Sequence, residues 1–123
     1  MFKHMREEFA GQRPAPSRLQ RAVSAALTRV NVPHLEEQAT PEGLQLDIVV
    51  LGSEKWAIEV DGPSQYLVGT DGSRTLDGRT LFKDRLLRAL GWDVVHVPFF
   101  EWDGLHKKAQ ELYLASRLGL KYK

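Results

Sequence analysis

The sequence contains no cysteine among its 123 residues. This absence excludes disulfide frameworks, thiolate nucleophiles and zinc sites built on cysteine. Apolar runs long enough to span a bilayer are also missing, so we expect no membrane partner. Met1–Ala10 is polar and of mixed charge, unlike a secretory signal peptide. A net charge of only +1 does not by itself indicate nucleic acid binding.

The composition is that of an ordinary globular protein. Hydrophobic residues make up 42% and charged residues 27% of the chain. A chain of this length fits one domain, which we place at residues 17–120. Residues 1–16 are predicted to be a flexible arm, since they hold two prolines and little periodicity. Within them, Met1–Met5 resembles a remnant of expression, so the natural start is expected upstream.

The hydrophobic pattern predicts an α/β fold. Ser17 and Gln20 form a capping box before a periodic helix, and Pro33 follows its end. After a loop through Pro41, two apolar stretches predict a β-hairpin, and a later strand, two helices and a short extra strand complete the set. The order α-β-β-(β)-α-β-α predicts a mixed β-sheet flanked by helices. The predicted elements after Pro41 are strands 44–51, 56–61, 66–68 and 92–98, a helix from Phe82 to Leu90 and a last helix containing Leu105–Tyr113.

Three acids interrupt the predicted hairpin strands. Asp47 lies in the first strand, and Glu59 and Asp61 lie on one face of the second. Converging carboxylates suit Mg²⁺ or Mn²⁺ better than zinc. The metal hypothesis needs a loop with an odd residue count or a β-bulge, because a two-residue loop would place Asp47 and Glu59 on opposite faces. The alternative is structural: Asp61 caps a turn, Glu59 pairs with a lysine and Asp47 lies at a wet edge.

Cations are concentrated between Arg74 and Arg88, where they outnumber acids five to two. We predict that this loop and helix contact RNA phosphates, with Phe82 and Leu86 holding the helix to the core. The alternative is a solvated helix face. Trp102 is interpreted mainly as a core-packing residue, and base stacking is its alternative role. His96 lies in a predicted buried strand and is interpreted as a core histidine. The proposed RNA-contacting set is Gln65, Arg74, Arg79, Lys83, Arg85 and Trp102.

Several ordered blocks from Leu46 to about Leu118 resemble the RAP domain, the C-terminal module of FAST kinase domain proteins and of many apicomplexan and algal organelle proteins. The blocks are Leu46-Asp47, then Ala57–Pro63, then Gly78–Lys83, then Arg85–Leu87, then Leu90–Trp92 and finally Val95–Trp102. The resemblance implies RNA binding in organellar RNA processing, stability or translation, in a mitochondrion or plastid. It also implies a fold similar to the very-short-patch-repair branch of the restriction endonucleases.

In that superfamily, acids on two hairpin strands and a lysine form the catalytic site. Asp47 and Glu59 match the two acids, but Asp61 stands in place of the lysine and Gln65 in place of a histidine common in RAP sequences. Lys83 is a spatial substitute for the lysine or a solvated helix residue. The catalytic candidates are therefore Asp47, Glu59, Asp61 and Lys83, the first three as ligands of Mg²⁺ or Mn²⁺.

Three functions follow from these patterns. The leading hypothesis is a binder of single-stranded RNA with a nuclease-like fold. The second is an active metal-dependent endoribonuclease, expected to be weak because Asp61 replaces the lysine. The third is a protein-interaction module of an RNA-processing assembly.

Overall fold

A computed structural model describes residues 17–52 and 54–120. A four-stranded mixed sheet in the order β1-β2-β3-β6 forms its centre, and β4 and β5 form a separate two-stranded sheet. No helix in the described ranges has the length and apolar character that crossing a membrane requires. The elements in chain order are α1 (Arg18–Arg29), β1 (His34–Ala39), β2 (Gln45–Val50), β3 (Trp56–Asp61), β4 (Tyr66–Val68), β5 (Arg74–Leu76), α2 (Gly78–Ala89), β6 (Asp93–Pro98), α3 (Phe99–Trp102) and α4 (Lys107–Arg117), with a 3₁₀ turn at Pro63–Gln65.

The sheet buries apolar side chains on both faces. Adjacent residues of β3 belong to different cores: Ile58 packs with Leu27 of α1 and Leu114 of α4, whereas Ala57 packs with Leu87 of α2. Since successive strand residues point to opposite faces, α1 and α4 cover one face and α2 the other. The predicted mixed sheet flanked by helices is confirmed. The predicted arm at residues 1–16 lies outside the described residues.

The first helix begins where the capping motif predicts. The Ser17 hydroxyl accepts a hydrogen bond from the Gln20 N–H at 3.0 Å. The Gln20 side chain does not reach back to Ser17, as a complete capping box would require. It donates instead to Glu36 of β1 and to the Asp47 carbonyl of β2. This buried glutamine therefore joins α1 to the sheet.

Strand β1 corrects the predicted loop before Pro41. The segment His34–Ala39 is polar and lacks apolar alternation, so its sequence gives no strand signal. It pairs antiparallel with β2 at the sheet edge, where a strand can carry polar residues. Ser24 of α1 hydrogen bonds both His34 and Glu36, which satisfies their side chains.

The predicted hairpin of β2 and β3 is confirmed. Ile48 lies opposite Ile58 and Val49 opposite Ala57. Continued by one residue, this register places Asp47 across from Glu59, as a loop with an odd residue count does. The condition for a shared carboxylate site, an odd loop, is therefore met.

The region between β3 and α2 differs from its prediction in one respect. Residues 69–78 were expected to form an exposed loop, but Arg74–Leu76 is a strand. It pairs with Tyr66–Val68, the predicted short strand, so that Val68 faces Arg74. The β4–β5 hairpin pairs the backbone N–H and C=O groups of this segment, although its polar sequence does not predict a strand.

The orientation of α2 also corrects the prediction. Phe82 is 63% exposed and Leu86 is exposed as well, so neither holds the helix to the core. Leu87, which is 0% exposed, does so. The half-buried Lys83 and Asp84 lie on the same face, one turn earlier. The helix turns these charges inward because buried acids of the sheet need partners.

Candidate functional site

A cavity of about 250 Å³ lies between the sheet and α2. It brings together most of the residues that the sequence singled out, including all three hairpin acids. Strands β2 and β3 supply the acids, the 3₁₀ turn supplies Gln65, and the start of α2 supplies the cations. The lining residues are Asp47, Glu59, Val60, Asp61, Gln65, Arg79, Thr80 and Lys83.

Asp47 and Glu59 bond to the backbone across the hairpin. The Asp47 N–H donates to Glu59 Oε2 at 2.9 Å, and the Val60 N–H donates to Asp47 Oδ2 at 2.8 Å. Carboxylate oxygens thus accept bonds that backbone carbonyls accept elsewhere in a ladder. The two acids hold the strands together at this point in the sheet.

Lys83 completes this pair as an ion-pair partner. Its Nζ lies 2.6 Å from Glu59 Oε1, and the lysine side chain is 31% exposed. Lys83 is therefore not a fully solvated helix residue. It lies beside the two acids and comes from a helix rather than from β3.

Asp61 belongs to a second cluster. It is 3% exposed, and its Oδ2 lies 2.7 Å from His96 Nδ1 of β6. The other ring nitrogen of His96 lies 2.7 Å from Asp84 Oδ1 of α2. Asp84 also accepts a bond from Arg88 at 2.9 Å. One imidazole therefore bridges two carboxylates and joins β3, β6 and α2.

These surroundings change the acid–base behaviour of His96. Burial, the largest influence, lowers the pKa of His96, but hydrogen bonds from the ring to Asp61 and Asp84 raise it to about 9. The imidazole is therefore protonated at neutral pH, and both ring nitrogens donate. For Asp84, burial opposes the bonds from Arg88 and His96, and the net result is a lowered pKa.

Asp47 shifts in the opposite direction. Burial, and then the charge of Glu59, raise the pKa of Asp47 from 3.8 to about 7. The Val60 N–H and Lys83 oppose this shift. Like-charge repulsion between Asp47 and Glu59 is therefore present, but desolvation is the larger cause.

The acids do not form the metal site that the sequence predicted. Within the ranges described, no group of three or more histidine or acidic side chains is arranged to hold a metal ion. Asp61 faces His96, and Glu59 is engaged by Lys83 and by the Asp47 N–H. Both oxygens of Glu59 and one oxygen each of Asp47 and Asp61 already accept bonds within the protein, and this engagement disfavours a resident Mg²⁺ or Mn²⁺.

The remaining RNA-contacting candidates lie in different places. Arg74, Arg79 and Arg85 are exposed. Trp102 is 4% exposed and packs edge-on against Tyr113, so the predicted base stacking on Trp102 is wrong and its core role holds. Its apolar neighbours on α4 explain this burial.

Sequence reasoning missed two members of the second cluster. The sequence alone indicates a core histidine at His96 and does not single out Asp84 as a functional residue. The available signal was a histidine inside the apolar strand Val94–Val97, which requires polar partners as Asp47 does. Asp84 can be recognised as the partner of His96 only when the orientation of α2 is known. The apolar Phe82 predicts a different orientation, because it is expected to face the core.

Comparison with known proteins agrees with this architecture. Residues 58–117, from β3 to the end of α4, match the family model described as the RAP domain. The chain is also 37% identical over 87 residues to a protein of Oryza sativa subsp. japonica named RAP domain-containing protein, chloroplastic. The match covers 68% of this chain and 12% of that protein's length. The relative's name supports the plastid alternative by family resemblance. Residues 58–117 of this chain therefore belong to the RAP domain family.

Proposed function

We propose that this domain binds single-stranded RNA through β5 and the outer face of α2. The observation that carries the proposal is the orientation of α2. The helix exposes Arg85 and Phe82 on its outer face and Arg79 at the rim of the carboxylate cavity, whereas its inward cation, Lys83, is neutralised by Glu59. Exposed arginines beside an exposed aromatic ring combine the two contacts that single-stranded nucleic acid accepts, phosphate pairing and base stacking.

Charge distribution supports the choice of surface. Lys83 and Arg88 each pair with a carboxylate, so they are poorly placed to bind a phosphate. Arg74, Arg79 and Arg85 form no salt bridge among the residues that the structure describes. The set of RNA-contacting residues is therefore smaller than the sequence predicts. Lys83 is paired inside the domain, and the three arginines lie at its surface.

The test is RNA affinity measured over a range of salt concentrations. The double substitution Arg79→Gln and Arg85→Gln should weaken binding to unrelated sequences alike. Each lost phosphate contact should reduce the slope of log affinity against log salt by about 0.7, so the pair should reduce it by roughly 1.4. Fluorescence anisotropy with labelled single-stranded RNA measures both quantities.

A matched control is available on the opposite face of the sheet. Arg21 of α1 and Lys107 of α4 are exposed, and changing both to glutamine removes the same charge. This variant should keep the wild-type slope. If both double variants lose affinity equally, only net charge matters and the α2 surface has no special role. Binding that does not depend on salt would favour a protein-docking role for the exposed Leu81 and Phe82.

Endoribonuclease activity is the second candidate. The proximity of Lys83 to Glu59 and Asp47 favours it, because it restores the two acids and lysine that the resemblance implies. The engagement of the acids within the protein opposes it, so we expect intact RNA after incubation with millimolar Mn²⁺. Cleavage that Asp47→Asn abolishes would establish the enzyme and overturn the purely binding role.

The setting of the function is the plastid, on the basis of the rice relative. Since the match spans 12% of that protein, the target RNA and the partners of a complete protein of this kind lie outside the proposal. We propose that the domain contributes an RNA-binding surface to organellar RNA metabolism.

A further inference from the structure

Three aromatic rings meet beside the β4–β5 hairpin. Tyr66 of β4 contacts both Phe99 and Phe100 of α3 edge-on, with ring centroids 5.9 and 5.3 Å apart. The two phenylalanines contact each other at 5.4 Å in the same manner. Phe100 remains exposed. The rings form a rigid apolar support at the surface, distinct from the carboxylate cavity.

Arg74 lies on this support. Its guanidinium carbon is 4.9 Å from the centroid of Phe100 and 5.5 Å from that of Phe99. Contact with two rings restricts the long side chain, so little further conformational entropy is lost when a ligand binds. Arg74 is exposed and forms no salt bridge in the described ranges.

The chemistry of such a group selects a flat partner. A guanidinium is planar and delocalised, and it stacks on aromatic systems as well as pairing with phosphate. Unpaired RNA bases stack on arginine planes and aromatic rings, whereas bases in a duplex do not present their faces. Arg74 of β5 precedes Arg79 at the start of α2 by five positions, so we expect a strand of RNA bound at α2 to extend toward Arg74.

We propose that Arg74, seated on Phe99 and Phe100, is a platform on which an unpaired RNA base stacks. This inference rests on the proposed RNA binding and assigns to Arg74 the stacking role that the sequence assigned to Trp102. Phe100 is a positioning residue that holds the guanidinium plane. Because stacking accepts every base, the platform contributes affinity without sequence preference.

The test compares two single strands of about 12 nucleotides, one of oligoadenylate and one abasic with the same phosphates. Arg74→Lys keeps the charge but removes the plane. It should weaken binding of the full chain to oligoadenylate about tenfold and leave binding to the abasic strand and the salt slope unchanged. Arg21→Lys, on the exposed side of α1, is the matched control and should change neither affinity appreciably, because Arg21 lies outside the proposed surface.

A second pair of variants tests the support. Phe100→Leu should reproduce the selective loss for oligoadenylate, and Leu112→Ala, at an exposed apolar residue of α4 on the opposite face of the sheet, should leave binding to both strands unchanged. Thermal unfolding of each variant checks that the fold is retained. A phenylalanine variant that fails to fold leaves the Arg74→Lys comparison as the deciding measurement.

The outcomes separate this inference from the proposed function. Equal loss on both strands with Arg74→Lys, or no loss on either, would overturn the platform while RNA binding stands. If the wild type binds neither strand, RNA binding and the platform both fail.

Discussion

Two opposing effects act on the side chain of Asp47. Its carboxylate accepts the Val60 N–H and holds the hairpin, yet burial and the neighbouring Glu59 disfavour its charge. Its folded-state pKa of about 7 exceeds its ordinary value of 3.8. The native state therefore keeps a proton that the unfolded chain releases, and stability contributed by this group falls as the pH rises from about 4 to 7.

Replacing Asp47 with asparagine should remove this penalty. The asparagine oxygen can still accept the Val60 N–H, and its amide can donate to Glu59. We expect Asp47→Asn to raise the free energy of unfolding by about 1–2 kcal/mol at pH 8, with little change at pH 4. Urea unfolding at both pH values measures the difference.

An exposed acid of the same sheet provides the control. Asp93→Asn, at the start of β6, should leave the pH dependence as in the wild type. If Asp47→Asn destabilises the protein at pH 8, the charge of Asp47 makes a net favourable contribution to the free energy of unfolding. The cost of burying that charge is then smaller than the contribution of its contacts.

The sequence allowed these residues to be found but not all of their partners. Acids inside apolar strands are visible in the sequence, and the odd loop count correctly placed Asp47 across from Glu59. The pairing of Glu59 with Lys83 and of His96 with Asp84 depends on where α2 lies. That position is a tertiary property, because α2 exposes Phe82 and buries charges.

At the scale of elements, α2 is held by an unusual mixture of contacts. Lys83 pairs with Glu59, Asp84 binds His96, and Leu87 supplies the helix's fully buried apolar side chain. The hydrophobic pattern predicts that a helix packs on the core through its apolar residues. For α2 it predicts contacts through Phe82 and Leu86 rather than through Leu87. Buried acids on the sheet overrode that rule, since unpaired buried charge costs more than an exposed phenylalanine.

The apolar contact of α2 can be tested with two matched truncations. Leu87→Ala should destabilise the domain by about 2–4 kcal/mol, since it leaves a cavity against Ala57 and Val94. Phe82→Ala should change stability by less than about 0.5 kcal/mol, because the ring is mostly exposed. Chemical unfolding gives both values. The reverse ranking would mean that the helix is rotated about its axis and docks through Phe82.

The polar contact of α2 predicts a distinct pH dependence. The pKa of His96 rises from 6.5 to about 9 on folding, so its bridge stabilises fully below pH 6.5 and weakens as the pH rises through 9. At pH 7, His96→Gln should cost about 2–4 kcal/mol, because Asp61 stays buried without its cation.

Unfolding measured between pH 6 and pH 10 should show the wild type losing stability over this range, while His96→Gln does not share that loss. His106→Gln changes an exposed histidine and is the control. A parallel decline in the wild type and in His96→Gln would show that another group, and not His96, titrates in this window.

At the scale of the whole molecule, the folding unit is larger than the matched family segment. Residues 58–117 begin within β3 and exclude α1, β1 and β2. Those elements provide Val23, Ala26 and Leu27 to the core, all fully buried, and β2 provides Asp47 to the cavity. The order of the longer elements was predictable, but the polar strands β1 and β5 were not, and in β1 the side chains of His34 and Glu36 find their partner on α1.

The difference between the two boundaries leads to a prediction about truncated proteins. A protein limited to residues 58–117 would expose Ile58, Val97 and Leu114, which α1 and β2 cover in the intact sheet. It would also leave β3 as a bare edge open to association. With so much of its core removed, we expect it to be unfolded or aggregated, since a domain's net stability is only about 5–15 kcal/mol.

Residues 17–120, in contrast, contain every element of both cores, and we expect them to fold as one cooperative unit. Circular dichroism and dispersion of amide proton shifts distinguish the two truncations. The shorter protein should show neither a sigmoidal melting transition nor dispersed resonances. If it folds cooperatively and binds RNA as the full chain does, then α1 and β2 are accessory, and the pairing of Asp47 with Glu59 is not needed to hold the site.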